Sequence, residues 1–183
     1  MPGVVIVGAG QAGLEAAAAL RTQGYAAPIV LIGDEPHAPY QRPPLSKEYL
    51  LGKQSADHLP LRAPVYYEKH SIALRMGETV TALDRPARLV HTGKGEIHYD
   101  KLVLATGAHN RLLAVPGAER VLYLRTRDEA DAIKGRIARS SHIAVIGGGF
   151  IGLEIAAAAR IMGKQVTVIE ALPRLMARAV PPL

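Results

Sequence analysis

Val4-Val5-Ile6-Val7-Gly8-Ala9-Gly10-Gln11-Ala12-Gly13-Leu14-Glu15 opens the chain with four apolar residues, three glycines in G-x-G-x-x-G spacing, and then the alanine-rich run Ala16-Ala17-Ala18-Ala19 closed by Gly24. Four consecutive β-branched residues predict a buried strand, and the alanine run ended by glycine predicts a helix. Pro28 to Ile32 supplies a second apolar strand. Strand, glycine turn, helix and strand make a βαβ unit, which requires parallel strands. The whole stretch then recurs 139 residues later, where 143–163 reads IAVIGGGFIGLEIAAAARIMG. Ten of 21 aligned positions are identical, among them all three glycines, the Leu-Glu that follows and the closing glycine. Gln165 to Ile169 is the matching second strand.

Each glycine in this spacing has a physical task. Gly8 allows the tight turn, Gly10 allows a ligand pyrophosphate to approach the backbone, and Gly13 allows the helix to pack closely on the strand. Gln11 and Ala12 complete this fingerprint, and the helix N-terminus then presents N–H groups and a positive dipole end to phosphate. An acidic residue about 20 positions on is expected on a ribose. Asp34 and Glu35 stand there in the first copy. In the second copy, Gly147, Gly149, Phe150, Ile151 and Gly152 form the turn and Glu170 ends the strand. A carboxylate at that point repels a 2′-phosphate and favours NAD over NADP, although Arg174 and Arg178 follow closely. Two dinucleotide sites in one short chain imply electron transfer between a tightly held flavin and an exchangeable nicotinamide.

Between the copies, residues 35–47 (EPHAPYQRPPLSK) are too rich in proline for a regular element. Ser46 reads as the N-cap of a short helix through Leu50. A helix is expected over 64–70 and another over 128–139. The runs ETVTAL, RLVHT, EIHYD and KLVLA predict a small antiparallel meander returning to a buried strand.

The stretches VVIVGAGQAG, YQRPPLSKEYL, KLVLATGA, YLRTRDEAD and IAVIGGGFIGLEIA resemble the FAD-dependent ferredoxin reductases of bacterial oxygenase systems, the putidaredoxin and rubredoxin reductase group. The resemblance covers essentially the whole chain. It implies an α/β fold of Rossmann-like, doubly wound βαβ units forming two glutathione-reductase-like dinucleotide-binding domains, both incomplete. Residues 1–109 would begin the FAD domain and 110–183 the NAD domain, in a protein about twice as long. The resemblance also implies that Arg42 and Lys47 lie on the flavin side, Val80 at the adenine end, and Ala105-Thr106-Gly107 and Arg125 along FAD. It pairs Lys47 with Glu154, and a cation there can stabilise charge as hydride arrives. The activity expected is NADH-dependent reduction of a ferredoxin or rubredoxin through FAD. An NADH oxidase or apoptosis-inducing-factor-like flavoprotein, and a truncated nucleotide-binding module without turnover, remain open alternatives.

The bulk composition narrows the choices. The 183 residues contain no cysteine, so redox chemistry here belongs to a bound cofactor and not to a dithiol. The net charge is +6, but the basic residues are scattered, and no Trp and a single Phe are present to stack on bases. Nucleic acid is therefore not an expected partner. The seven histidines show neither H-x₃-H nor HExxH spacing, so no metal site is expected. No signal-like segment or 20-residue apolar run occurs, which predicts a cytoplasmic protein with no membrane association.

Overall fold

The computed structural model of the protein describes residues 3–181. The chain forms two compact units, Met1–Gln41 with Pro60–Ala108, and Arg42–Leu59 with His109–Leu183.

The first unit is built around β1 (Gly3–Val7), α1 (Gln11–Thr22) and β2 (Ile29–Ile32). A short helix α2 (Pro64–Lys69) leads into β3 (Ile72–Arg75), and β4 (Val80–Asp84), β5 (Leu89–Thr92) and β6 (Gly95–Leu104) complete one sheet in the order β3-β2-β1-β6-β5-β4. β1 is parallel to β2 and to β6, and β2 is parallel to β3. All five residues of β1 are buried, as its unbroken apolar run requires of a central parallel strand. Ile6, Leu14, Ala17, Ile29 and Leu31 pack together where α1 crosses the sheet, with Tyr67 of α2 beside them.

Three details differ from the sequence reading. β3 joins the sheet although no strand is expected at that point. EIHYD and KLVLA are one ten-residue strand, whose first half pairs antiparallel with β5 and whose second half pairs parallel with β1. Its end is also not buried, since Leu104 is 60% exposed.

The turn into β4 holds a carboxylate that is nearly sealed. Glu78 is 4% exposed, accepts from Arg75 Nε at 2.8 Å and from the Thr92 hydroxyl at 2.6 Å, and ties β3, β4 and β5 together. Burial pushes its pKa up, but the Thr92 and Arg75 hydrogen bonds and the charges of Arg75 and Lys94 outweigh this, and the net shift is downward. A carboxyl that is more acidic folded than unfolded adds stability above the ordinary glutamate range. That stability disappears as pH falls through the folded-state value. Urea unfolding of Glu78→Gln should therefore show a deficit at neutral pH that narrows steadily under acid. A deficit independent of pH would mean that Glu78 acts by packing alone.

In the second unit, α3 (Arg127–Ala138), β7 (His142–Ile146), α4 (Phe150–Ile161) and β8 (Gln165–Ile169) follow in order, with β7 parallel to β8. α3 starts at a capping box in which Thr126 accepts from the Glu129 N–H and Glu129 reaches back to Thr126 N. The segment 42–59 belongs to this unit through Leu50, which packs with Ile133, Ile137 and Ala158, and through the Tyr49 hydroxyl, which donates to Asp131 at 2.6 Å. Residues 43–46 form a 3₁₀ turn and not the approach to an α-helix, because Pro43 and Pro44 set its first positions. Ser46 is its last residue, so the expected N-cap role is wrong, and turns rather than a helix carry the chain through Leu50. Among the described residues no helix is long and apolar enough to cross a membrane.

Candidate functional site

The two glycine turns share their backbone form and their hydrogen bond to the neighbouring strand. Gly8 and Gly147 take φ of +114° and +105°, and each donates its N–H at 2.8 Å to the last residue of the neighbouring strand, Ile32 or Ile169. A Cβ on Gly13 would stand 1.9 Å from the Gly8 carbonyl oxygen, and one on Gly152 would stand 2.0 Å from that of Gly147. These two glycines are fixed by the fold itself.

Gly10 and Gly149 are different. They cap α1 and α4 with φ of −88° and −86°, a backbone that any residue adopts, and a Cβ on either would meet nothing within 4 Å. Nothing in the protein demands glycine there. No side chain caps either helix, and neither first turn carries an acidic residue. Backbone N–H groups of Gln11, Ala12, Phe150 and Ile151 thus lie at uncapped positive helix ends beside an unfilled approach. This is the donor set a pyrophosphate needs, and it fits a dinucleotide in each unit.

The first turn also meets the strand that ends at Leu104. Ala105 donates to the Val7 carbonyl at 2.7 Å, and a Cβ on Gly8 would stand 2.1 Å from Ala105 O, so Ala105 and Thr106 run beside the glycine turn. Gly107 follows with φ of +69°. Val80 packs against the cluster of Val5, Val7, Ile32, Val90 and Tyr99. Asp34 is exposed just past β2, while Glu35 accepts from the Tyr40 hydroxyl at 2.5 Å.

The two acidic ends are not equivalent. Gly147 N bonds to Ile169 O as Gly8 N bonds to Ile32 O, so Glu170 matches Gly33 and not Asp34 or Glu35. A Cβ on Gly33 would lie 2.6 Å from Ala9 Cβ. In the second copy Gly148 replaces that alanine, and the space admits the Glu170 side chain. Glu170 accepts from Gly148 N at 2.7 Å and Leu172 N at 2.8 Å, and these backbone bonds, Gly148 first, hold its carboxyl below the usual range. Arg174, a candidate to draw a 2′-phosphate, instead donates to Ala177 O and Val180 O of its own tail.

In the second unit, separate bonds link Arg42 to Arg125 and Lys47 to Glu154. Arg42 Nη1 donates to Arg125 O at 2.7 Å, and Arg125 N donates to Glu129 at 2.6 Å. Lys47 Nζ lies 2.9 Å from Glu154 Oε1. Ser46, which in sequence has only the look of a cap, donates to the other oxygen of Glu154 at 2.5 Å. The repeat signals Glu154 but gives no sign of a hydroxyl partner more than 100 positions away.

The sequence profile of the pyridine nucleotide-disulphide oxidoreductases matches residues 2–182. The chain belongs to that family. It is 52% identical over 179 residues to rhodocoxin reductase of Rhodococcus erythropolis, covering 96% of this chain and 42% of the relative. It is 43% identical over 182 residues to the rubredoxin–NAD(+) reductase of Pseudomonas putida, covering 98% and 47%. Among solved structures, the ferredoxin reductase for the CYP199A2 system of Rhodopseudomonas palustris matches with a TM-score of 0.95 at 46% identity, covering all of this chain and 46% of that one. The reductase in the covalent putidaredoxin reductase–putidaredoxin complex matches with a TM-score of 0.92 at 41% identity, covering 99% and 45%. This family member therefore spans less than half the length of these relatives.

Proposed function

We propose that the chain is the cofactor-binding part of an NADH-dependent FAD flavoprotein that passes electrons to a ferredoxin or rubredoxin. The observation that carries this reading is the pair of matching turns whose Gly10 and Gly149 answer to no contact within the protein. The names of the relatives supply the reaction class. Residues 1–109 are assigned to the FAD domain and 110–183 to the NAD domain. A cytoplasmic location is part of the same proposal.

On this reading Gly8, Gly10, Gln11, Ala12 and Gly13 hold the FAD pyrophosphate, with Asp34 or Glu35 on the ribose. Val80, Ala105, Thr106, Gly107, Arg42 and Arg125 are further FAD contacts. Gly147, Gly149, Phe150, Ile151, Gly152 and Glu170 hold NAD. Bound FAD supplies the conversion of a two-electron donor into single-electron steps. With FAD bound, Lys47 would offer positive charge to stabilise a reduced flavin, and Glu154 holds the Lys47 ammonium in place. Glu170, ionised at neutral pH, accepts from ribose hydroxyls and repels a 2′-phosphate.

The test is made on the product of the natural gene, without oxygen. A yellow protein bleached faster by NADH than by NADPH, with that preference diminished in Glu170→Gln, is the expected result. Reduction followed by oxygen consumption with no protein acceptor would replace the ferredoxin reading by an oxidase. A protein that gains no flavin absorbance when FAD is supplied would overturn both.

A further inference from the structure

Two consecutive side chains of one turn close on a single carboxylate. Ser46 Oγ donates to Glu154 Oε2 at 2.5 Å and Lys47 Nζ meets Oε1 at 2.9 Å. In a regular helix neighbouring residues do not face the same point. They do here because the 3₁₀ turn ends at Ser46 and Lys47 leaves it with φ −122° and ψ −113°.

The two partners are held very differently. The Lys47 side chain is 44% exposed on a flexible four-carbon stem, and an exposed ion pair has little power to fix its own geometry. Ser46 is 5% exposed, its hydroxyl sits close to the backbone on a single carbon, and the preceding Leu45 is anchored in the interior. The turn is itself braced, by Leu45 N to Arg42 O at 3.0 Å and Lys47 N to Pro44 O at 2.9 Å. The repeat provides a comparison within the chain. Glu15, the counterpart of Glu154 on α1, meets Arg62 at 3.3 Å with both side chains well exposed.

We propose that Ser46 is the positioning residue of this pair, its hydroxyl fixing the Glu154 carboxylate so that Oε1 stays turned toward the Lys47 ammonium. The position of the cation is then set by a short, part-buried bond and not by the more exposed ion pair. The Ser46 bond is also the leading cause that holds the Glu154 carboxyl below the usual range, ahead of the opposing effect of burial and the contribution of Lys47. Any consequence for hydride transfer rests on the reductase reading; the positioning does not.

Carboxyl-¹³C glutamate labelling reads this directly. In the 183-residue chain, the resonance lost in Glu154→Gln identifies Glu154. Its midpoint should lie below those of exposed glutamates. Ser46→Ala deletes one atom and keeps the backbone bonds of the turn; it should move that midpoint upward, and Ser46→Thr, which restores a hydroxyl, should bring it back. An unchanged midpoint in Ser46→Ala, or an upward shift that the folded Thr variant leaves in place, would overturn the proposal. In the FAD-loaded product of the natural gene, the acid limb of the pH profile for reduction by NADH should follow the same order. Midpoints that move as expected, in a protein that NADH never reduces, would uphold the positioning role and overturn the reductase reading instead.

Discussion

Gly10→Ala should leave the chain folded and strip it of FAD affinity, while Gly13→Ala should damage the fold. The contrast follows from two hydrogen-for-methyl exchanges three residues apart. At Gly10 the backbone is ordinary and the new methyl meets no protein atom within 4 Å. Alanine is a poorer helix N-cap than glycine, yet it lowers the entropy of the unfolded chain, so the net change in stability stays within about 1 kcal/mol. The methyl does, however, occupy the approach of a pyrophosphate to the backbone. Losing one or two charge-assisted bonds costs about 3 kcal/mol, roughly a hundredfold in Kd. At Gly13 the methyl would sit 1.9 Å from the Gly8 carbonyl oxygen and 3.1 Å from Leu31 Cδ1. Backbone cannot yield as a flexible side chain does, so α1 must lift from β1. The cost of about 3 kcal/mol or more exceeds the roughly 1 kcal/mol that alanine returns in helix propensity. Thermal melts with FAD titration of each apoprotein separate the two effects. Gly149→Ala and Gly152→Ala should repeat the pattern with NADH. If Gly10→Ala binds FAD as well as the parent does, the first turn is not a pyrophosphate site.

The same glycines explain why so much is legible from sequence. Their spacing, the apolar strands on either side and the 139-residue repeat are local signals, and each demands the neighbouring element it predicts. What escapes is set by distant contacts or by competing local chemistry. β3 is four residues long, enters from Ser71 at φ +48° and has no alternation to mark it. Asp100-Lys101 looks like a break between two strands, yet it sits within one strand whose two halves have partners of opposite sense. Ser46 before Lys-Glu-Tyr-Leu has the form of an N-cap, but two prolines upstream impose a tighter turn, and its hydroxyl serves Glu154. Glu170 is readable as an acidic strand end, whereas its bond to Gly148 depends on a glycine that the first copy lacks. The union of segment 42–59 with the second unit rests on Leu50 and Tyr49, whose partners lie about 80 or more positions away.

Arg21 is the strongest case of a residue silent in sequence and dominant in structure, and Arg21→Ala should be among the most destabilising exchanges at any partly exposed position. In the sequence it is one more basic residue in the last turn of a helix, where it complements the dipole for a few tenths of a kcal/mol. In the structure its guanidinium donates to four carbonyls: Tyr25 O at 2.5 Å, His70 O at 2.7 Å, and Ala27 O and Ser71 O, each at 2.8 Å. It thereby joins the end of α1, the loop into β2, and the turn between α2 and β3. Those carbonyls belong to segments without regular partners, and Ser71 is held there at φ +48°. The counterpart in the second copy, Arg160, donates to Lys164 O, the equivalent of Tyr25 O, and there is no third strand segment beside it among the described residues. Each charged hydrogen bond contributes about 1.5–3 kcal/mol, but water replaces part of that in the variant, so a loss of about 3 kcal/mol is expected for Arg21→Ala. Arg160→Ala should lose no more than about 1 kcal/mol by the same reasoning. Urea unfolding of both variants measures the difference. Lysine at position 21 should recover only a minor part of it, because a single ammonium cannot reproduce the planar fork that reaches four acceptors. Equal losses at the two positions would show that the first helix gains nothing from its link to β3, and that the parallel sheet holds that strand by its ladder alone.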